Sequence, residues 1–310
     1  MRPIGNLRVD RCCRTAALLT AVVWGGPGTA QESPGGDRSD GVTVRRSAGW
    51  YVAVSDNFRC WTGHSEAEAR ILATRCEQLR SRLGSQWGID AIERPWTPRC
   101  DVMLHGTQAA YGTALGRPGE ASVGCTRIQF DGDRIVSRRI DLRRDAPDWT
   151  VAALPHELTH AVLMERFGRA LPPWADEGMA MLSESAAKQE TRLADLHQAL
   201  HRRTTYDVRD LLAVRQLPPP HRRDAYYGQS LALTLWLVER SGGPREFARF
   251  LEASRETSID EALRSELNLD GLAAVEHAWR QQSGSPASMR VVRRGTHSPA
   301  SEPAMTADGD

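Results

Sequence analysis

Residues Ala152 to Met164 form an apolar run that is interrupted only around the pentad His156-Glu157-Leu158-Thr159-His160. Apolar residues leading into and out of the pentad predict a helix that buries one face and so holds these side chains rigidly. Positions four apart share one helix face, so His156 and His160 aim both imidazoles at a single point. Glu157 is turned about 100° away and reaches beside that point rather than onto it. Further on, Glu177 stands in Trp174-Ala175-Asp176-Glu177-Gly178, with room between for a turn and the start of a second helix. Two histidines and one glutamate form a catalytic zinc set with an open fourth position, one Zn2+ per chain. The competing reading is a buried helix with two core histidines. His197 and His201 repeat the spacing without a following glutamate and among polar neighbours, and read as a solvent-facing helix. His105 reads as packing at a strand end.

With Tyr227-Gly228-Gln229-Ser230, these stretches resemble the peptidase MA-like family of gluzincin metallopeptidases. The resemblance runs from about Asn57 to Trp279 and is strongest from Leu154 to Ser183. It implies a zincin-like fold, a zinc held by His156, His160 and Glu177, and hydrolysis of a peptide or protein substrate with Glu157 as general base. Tyr227 matches the family's Y-x-Q-S pattern and is the implied oxyanion donor. Tyr226 is its rival, and packing of a helix start is the other use for both. Glu184, two turns after Glu177 on an expected common helix, either receives the ring N–H of a ligand histidine or is a solvated helix-end acid. Asp176 has the same two uses, as partner of a ligand or as an acid at a helix start. The chain has no G-x-M-E-N segment and no third histidine at the metzincin spacing, so cleavage mode and substrate stay open. Two other functions share these residues: a secreted scaffold without turnover, and a hydrolase of non-peptide amides or esters.

Hydrophobic residues at 40% and charged residues at 25% suit a soluble globular protein, and a net charge of +1 leaves no basic field for nucleic acid. Residues 1–30 read as a signal peptide. Arg2, Arg8, Arg11 and Arg14 precede the apolar run Ala16 to Trp24, and Gly28-Thr29-Ala30 offers a cleavage site. That run is too short to span a bilayer, so the expectation is export to a periplasmic or extracellular space without a stable membrane span. Export makes disulfides the expected state of Cys60, Cys76, Cys100 and Cys125, with proximity favouring Cys60–Cys76 and Cys100–Cys125.

Residues 31–48 read as a disordered linker, 49–283 as the metallopeptidase domain and 284–310 as a disordered tail. Strand patterns at Trp50 to Val54, Asn57 to Trp61 and Asp101 to Leu104, and in a hairpin from Ser122 to Leu142, alternate with helices at Glu66 to Leu83 and Thr107 to Leu115. From Asp148 the pattern is helical only. The order predicts an α+β fold, mixed over about 49–147 and helical over about 148–283, with the zinc site between the parts.

Overall fold

The computed structural model describes residues 7–10, 41–89 and 94–283. The remainder of the expected leader, most of the linker and the 284–310 tail lie outside the described residues, as do Cys12 and Cys13. The architecture is α+β as the sequence predicts: a mixed sheet with helices in the first half, helices alone in the second.

Strands β1 (Leu7–Asp10), β2 (Thr43–Ser47), β3 (Trp50–Val54), β4 (Phe58–Thr62), β5 (Cys100–His105), β6 (Gly124–Asp131) and β7 (Arg134–Arg143) make one sheet in the order β1-β6-β7-β5-β4-β3-β2. The β4–β5 and β5–β7 pairs are parallel and the other pairs antiparallel. Strand β1 comes from the segment read as a leader; without it the sheet has six strands and ends at β6. Strand β2 corrects the linker reading. The Gly, Ser, Asp and Arg content of 31–48 reads as linker, but Thr43–Ser47 pairs as an edge strand with Arg45 and Arg46 exposed on it. Ala48 (φ 48°) and Gly49 (φ 85°) both take positive φ and close a two-residue hairpin between β2 and β3.

Helix α1 (Glu66–Gln86) crosses from β4 to the parallel β5, with Ser65 capping its start by accepting from the Glu68 N–H. It buries Ala69, Leu72, Cys76, Leu79 and Leu83 against the sheet, while Ile71 is 47% exposed. A short α2 (Gln108–Ala114) follows β5. The helical half comprises α3 (Leu154–Phe167), α4 (Pro173–Met181), α5 (Ala186–His201), α6 (Val208–Ala213), α7 (Arg223–Ser241), α8 (Pro244–Glu256), α9 (Ile259–Ser265) and α10 (Gly271–Ser283).

Both expected disulfides are absent. Cys60, Cys76 and Cys100 are free and fully buried, and Cys125 is disulfide-bonded to none of them. Strand β7 lies between the strands that carry Cys100 and Cys125, so closeness in sequence misleads. Cys60 and Cys76 do meet, but as thiols: burial, then the neighbouring Cys76, pushes the Cys60 thiol well above its ordinary range. Burial does the same to Cys100.

Candidate metal centre

Helix α3 is buried nearly all round, with Leu154, Leu158, Ala161, Val162 and Leu163 at 0% exposure. Pro155 sits in its first turn. A proline inside an α-helix lacks the N–H for the i→i−4 bond and crowds the carbonyl four residues back. Here the preceding turn, Trp149–Ala153, is wound as a wider π-helical turn, and the regular helix starts at Leu154. Asp148, at the start of the π turn, makes no side-chain capping bond and lies 3.4 Å from Lys188. Gly168, at φ 55°, ends α3.

The helix holds His156 and His160 with their Nε2 atoms 3.2 Å apart. Helix α4 brings Glu177, whose Oε2 is 3.5 Å from His156 Nε2. Ligand atoms of the three residues all lie within 4.8 Å of one another. Gly178 lets α4 come this close to α7: a Cβ there would overlap the Thr234 hydroxyl and lie 2.7 Å from the Ser230 carbonyl oxygen. The glycine after Glu177 is thus a packing requirement rather than a turn.

Each histidine is held from behind by a carboxylate. His160 Nδ1 is 3.0 Å from Asp176 Oδ1, and His156 Nδ1 is 2.8 Å from Glu184 Oε1. Asp176 lies on α4 beside Glu177, and its carboxylate points at His160 rather than out from a helix start. The expectation for Glu184 needs correcting in one respect. Helix α4 stops at Met181, so Glu184 does not share a helix face with Glu177 but reaches His156 from the turn that follows. That turn is tied to α3: Thr159 Oγ1 lies 2.8 Å from the Pro155 carbonyl and 2.9 Å from Ser183 Oγ. Ser185 then caps α5 through the Lys188 N–H.

This wiring decides the protonation pattern. A neutral His160 carries its N–H on the Nδ1 that faces Asp176, and a neutral His156 with its proton on the Nδ1 beside Glu184 leaves both Nε2 lone pairs facing one another. The Glu177 Oε2 beside them is buried without a hydrogen-bond partner. Three lone pairs converging in a space without a donor repel one another unless a cation sits among them. The group is therefore suited to a metal ion. Burial alone would depress His156, yet Glu177 and then Glu184 raise it to about 10. The same balance, with Asp176 as the opposing carboxylate, raises His160. Burial pulls Glu184 upward, but His156 and then Arg192 hold it below the usual carboxylate range. A metal ion and a proton compete for the same lone pairs.

Glu157 is buried beside this group but makes none of its contacts. It packs against β6: Thr126 Oγ1 lies 2.7 Å from its Oε2 and 2.8 Å from its carbonyl oxygen. Gly124 leaves the space, since a Cβ there would lie 2.6 Å from Glu157 Cγ. Burial pushes the Glu157 carboxyl up, against the pull of His156, His160 and Thr126.

Tyr227 is buried at the start of α7, edge-on to Tyr226. Arg192 of α5 stacks on the Tyr227 ring, 5.0 Å from its centroid, and its guanidinium lies 3.6 Å from Glu184 Oε1. Tyr227 is thereby linked to the histidine pair through Arg192 and Glu184. Gly228 lets α5 approach, because a Cβ there would lie 2.8 Å from the Arg192 carbonyl oxygen. His105 is remote in role: its Nε2 is 2.8 Å from the buried Asp141, and Trp50 and Tyr111 contact its ring edge-on. His201 is exposed as expected, whereas His197 is half-buried.

Comparison of the chain with protein-family models, with curated proteins and with solved structures finds no match. What the fold and the site define is an α+β protein with a His-His-Glu group that could hold a metal ion. Among the described residues no helix is long and apolar enough to cross a membrane.

Proposed function

We propose that the chain is an exported zinc-dependent peptidase of the gluzincin type. The observation that carries this is the division of labour among four side chains, His160 and Glu157 buried and His156 and Glu177 half-buried. Three converge through lone pairs, and the fourth, Glu157, is drawn aside to β6 and left free of the metal group. Two imidazoles and one carboxylate are the zinc set that leaves a coordination position open. When bound there, zinc lowers the pKa of water and polarises a carbonyl.

Glu157 is the base that takes a proton from the attacking water and returns it to the leaving amine. Burial suits it, since a carboxyl whose pKa is raised is a stronger base once ionised. Asp176 and Glu184 fix the tautomer and direction of His160 and His156. Tyr227 is the second donor to the oxyanion, with its ring held by Arg192. A scaffold without turnover would have no use for a carboxyl kept off the metal group, which favours a hydrolase. Export rests on residues 1–30, from which a leader would be removed after Ala30.

The test is metal analysis of the purified protein paired with digestion of a broad peptide library, with and without chelator. One zinc per chain and chelator-sensitive peptide cleavage are expected. Protein that stays metal-free after zinc reconstitution would overturn the proposal. Zinc with ester or non-peptide amide turnover but no peptide cleavage would leave the metal site standing and replace the substrate class.

A further inference from the structure

We propose that Thr126 is a positioning residue for Glu157: its hydroxyl fixes the carboxylate in the place from which it acts as base. This rests on the reading of Glu157 given above. The inward face of β6 reads Gly124, Thr126, Ile128, Phe130, every second residue of a strand that alternates in and out. Ile128 and Phe130 enter the hydrophobic core. Thr126 is 0% exposed, at a position where valine has the same shape and better strand preference. Burying a hydroxyl is unfavourable unless it is hydrogen-bonded. Both contacts made by this one, at 2.8 and 2.7 Å, are to a single residue, Glu157.

Of those two contacts the carboxylate is the one that needs the donor. The Glu157 carbonyl lies inside α3, where the N–H four residues on already serves it. Glu157 Oε2 has no helix donor. On the strand, Gly124 supplies room for the side chain and Thr126 supplies a hydrogen bond, so β6 sets both its position and its orientation. The metal group receives nothing from these two residues, so losing the hydroxyl should disturb the base and spare the ligands.

The experiment compares Thr126→Val and Thr126→Ser with wild-type protein and with Glu157→Gln, using the fastest-cleaved peptide from the library. Zinc content, kcat, KM and thermal unfolding are measured on each. Thr126→Val should keep its zinc and a KM within about twofold, and lose about 10- to 100-fold in kcat, as misplacement of a reacting group does. Thr126→Ser should recover most of that loss. A wild-type kcat in Thr126→Val overturns the assignment, as does equal impairment of the serine variant. Loss of zinc or of cooperative unfolding in Thr126→Val would make the hydroxyl a packing requirement and overturn it as well. An inactive Glu157→Gln beside a fully active Thr126→Val removes Thr126 alone. An active Glu157→Gln removes the general base, and this inference with it.

Discussion

Gly124→Ala separates the base from the metal more cleanly than any change to the ligands. Gly124 is not among the glycines with positive φ, so alanine meets no backbone strain there. What it meets is one side chain: the new Cβ would lie 2.6 Å from Glu157 Cγ, 2.8 Å from Oε1 and 3.0 Å from Cδ. Carbon atoms settle at about 3.5–4.0 Å, so Glu157 must retreat by about 1 Å. A displacement of that size at a reacting group is worth about 10²-fold in rate, or close to 3 kcal/mol of activation free energy. Stability moves less. Overpacking costs about 1–3 kcal/mol, and replacing a strand glycine by alanine returns about 0.5–1 kcal/mol, a net loss of at most about 2.5 kcal/mol. The assay is zinc content by metal analysis, urea unfolding, and kcat on the selected peptide, all on one preparation. The expected result is one zinc, a modest fall in midpoint and a kcat near that of Glu157→Gln. A full kcat with one zinc would show that Glu157 needs no defined place, and would refute the argument. Loss of zinc would show that β6 supports the ligands themselves.

Glu157→Gln should keep its zinc and lose at least about 10²-fold in kcat, read by metal analysis and steady-state kinetics. Tyr227→Phe should lower kcat by about 10²–10³ with little change in zinc content, KM or melting temperature; a wild-type kcat would leave the ring as a packing partner of Arg192. Peptides carrying Cys60, Cys76 and Cys100 should alkylate only after unfolding and without reductant, as followed by mass spectrometry, because all three thiols are free and buried. Chelation should lower the melting temperature measured by calorimetry, since zinc at a free concentration of 100 times its Kd contributes about 2.7 kcal/mol to the folded state; an unchanged melting temperature would deny a site that forms only on folding.

The helix that carries the two histidines was legible because its signal is local. His156 and His160 are four apart, the flanks are apolar, and helix periodicity alone places both rings on one face. Glu177 was legible from its spacing after His160 and from the resemblance, but the reason for its approach was not, since that depends on α4 lying against α7 at Gly178, a contact between residues far apart in sequence. Glu184 was singled out for the wrong reason: an unbroken helix was assumed, whereas the turn at Leu182 to Ser185 delivers it. Gly124 and Thr126 carry no local mark at all. On their own strand they are two small residues in an alternating pattern, and their meaning appears only when α3 packs across β6. Strand β2 was hidden by its exposed arginines, which composition reads as linker and an edge strand tolerates.

These contacts make the His-His-Glu group a property of how α3, α4 and α7 pack within the helical half. Segment 176–184 supplies one member of the group, Glu177, and both carboxylates that face the two histidines. Its place is set by Gly178 on α7 and by Thr159 and Ser183 on α3. The base is set from the opposite side, by β6. Helix α3 is thus held between a strand that places Glu157 and a helical segment that places the His-His-Glu group, which the proposed function reads as base and ligands. A change on either side should reach the other only through α3. The halves of the chemistry can then fail separately: a disturbed β6 leaves a protein that binds zinc and does not turn over, and a disturbed α4 leaves a well-placed carboxylate with no metal beside it. That separability is the physical basis for distinguishing catalytic loss from metal loss in every variant above.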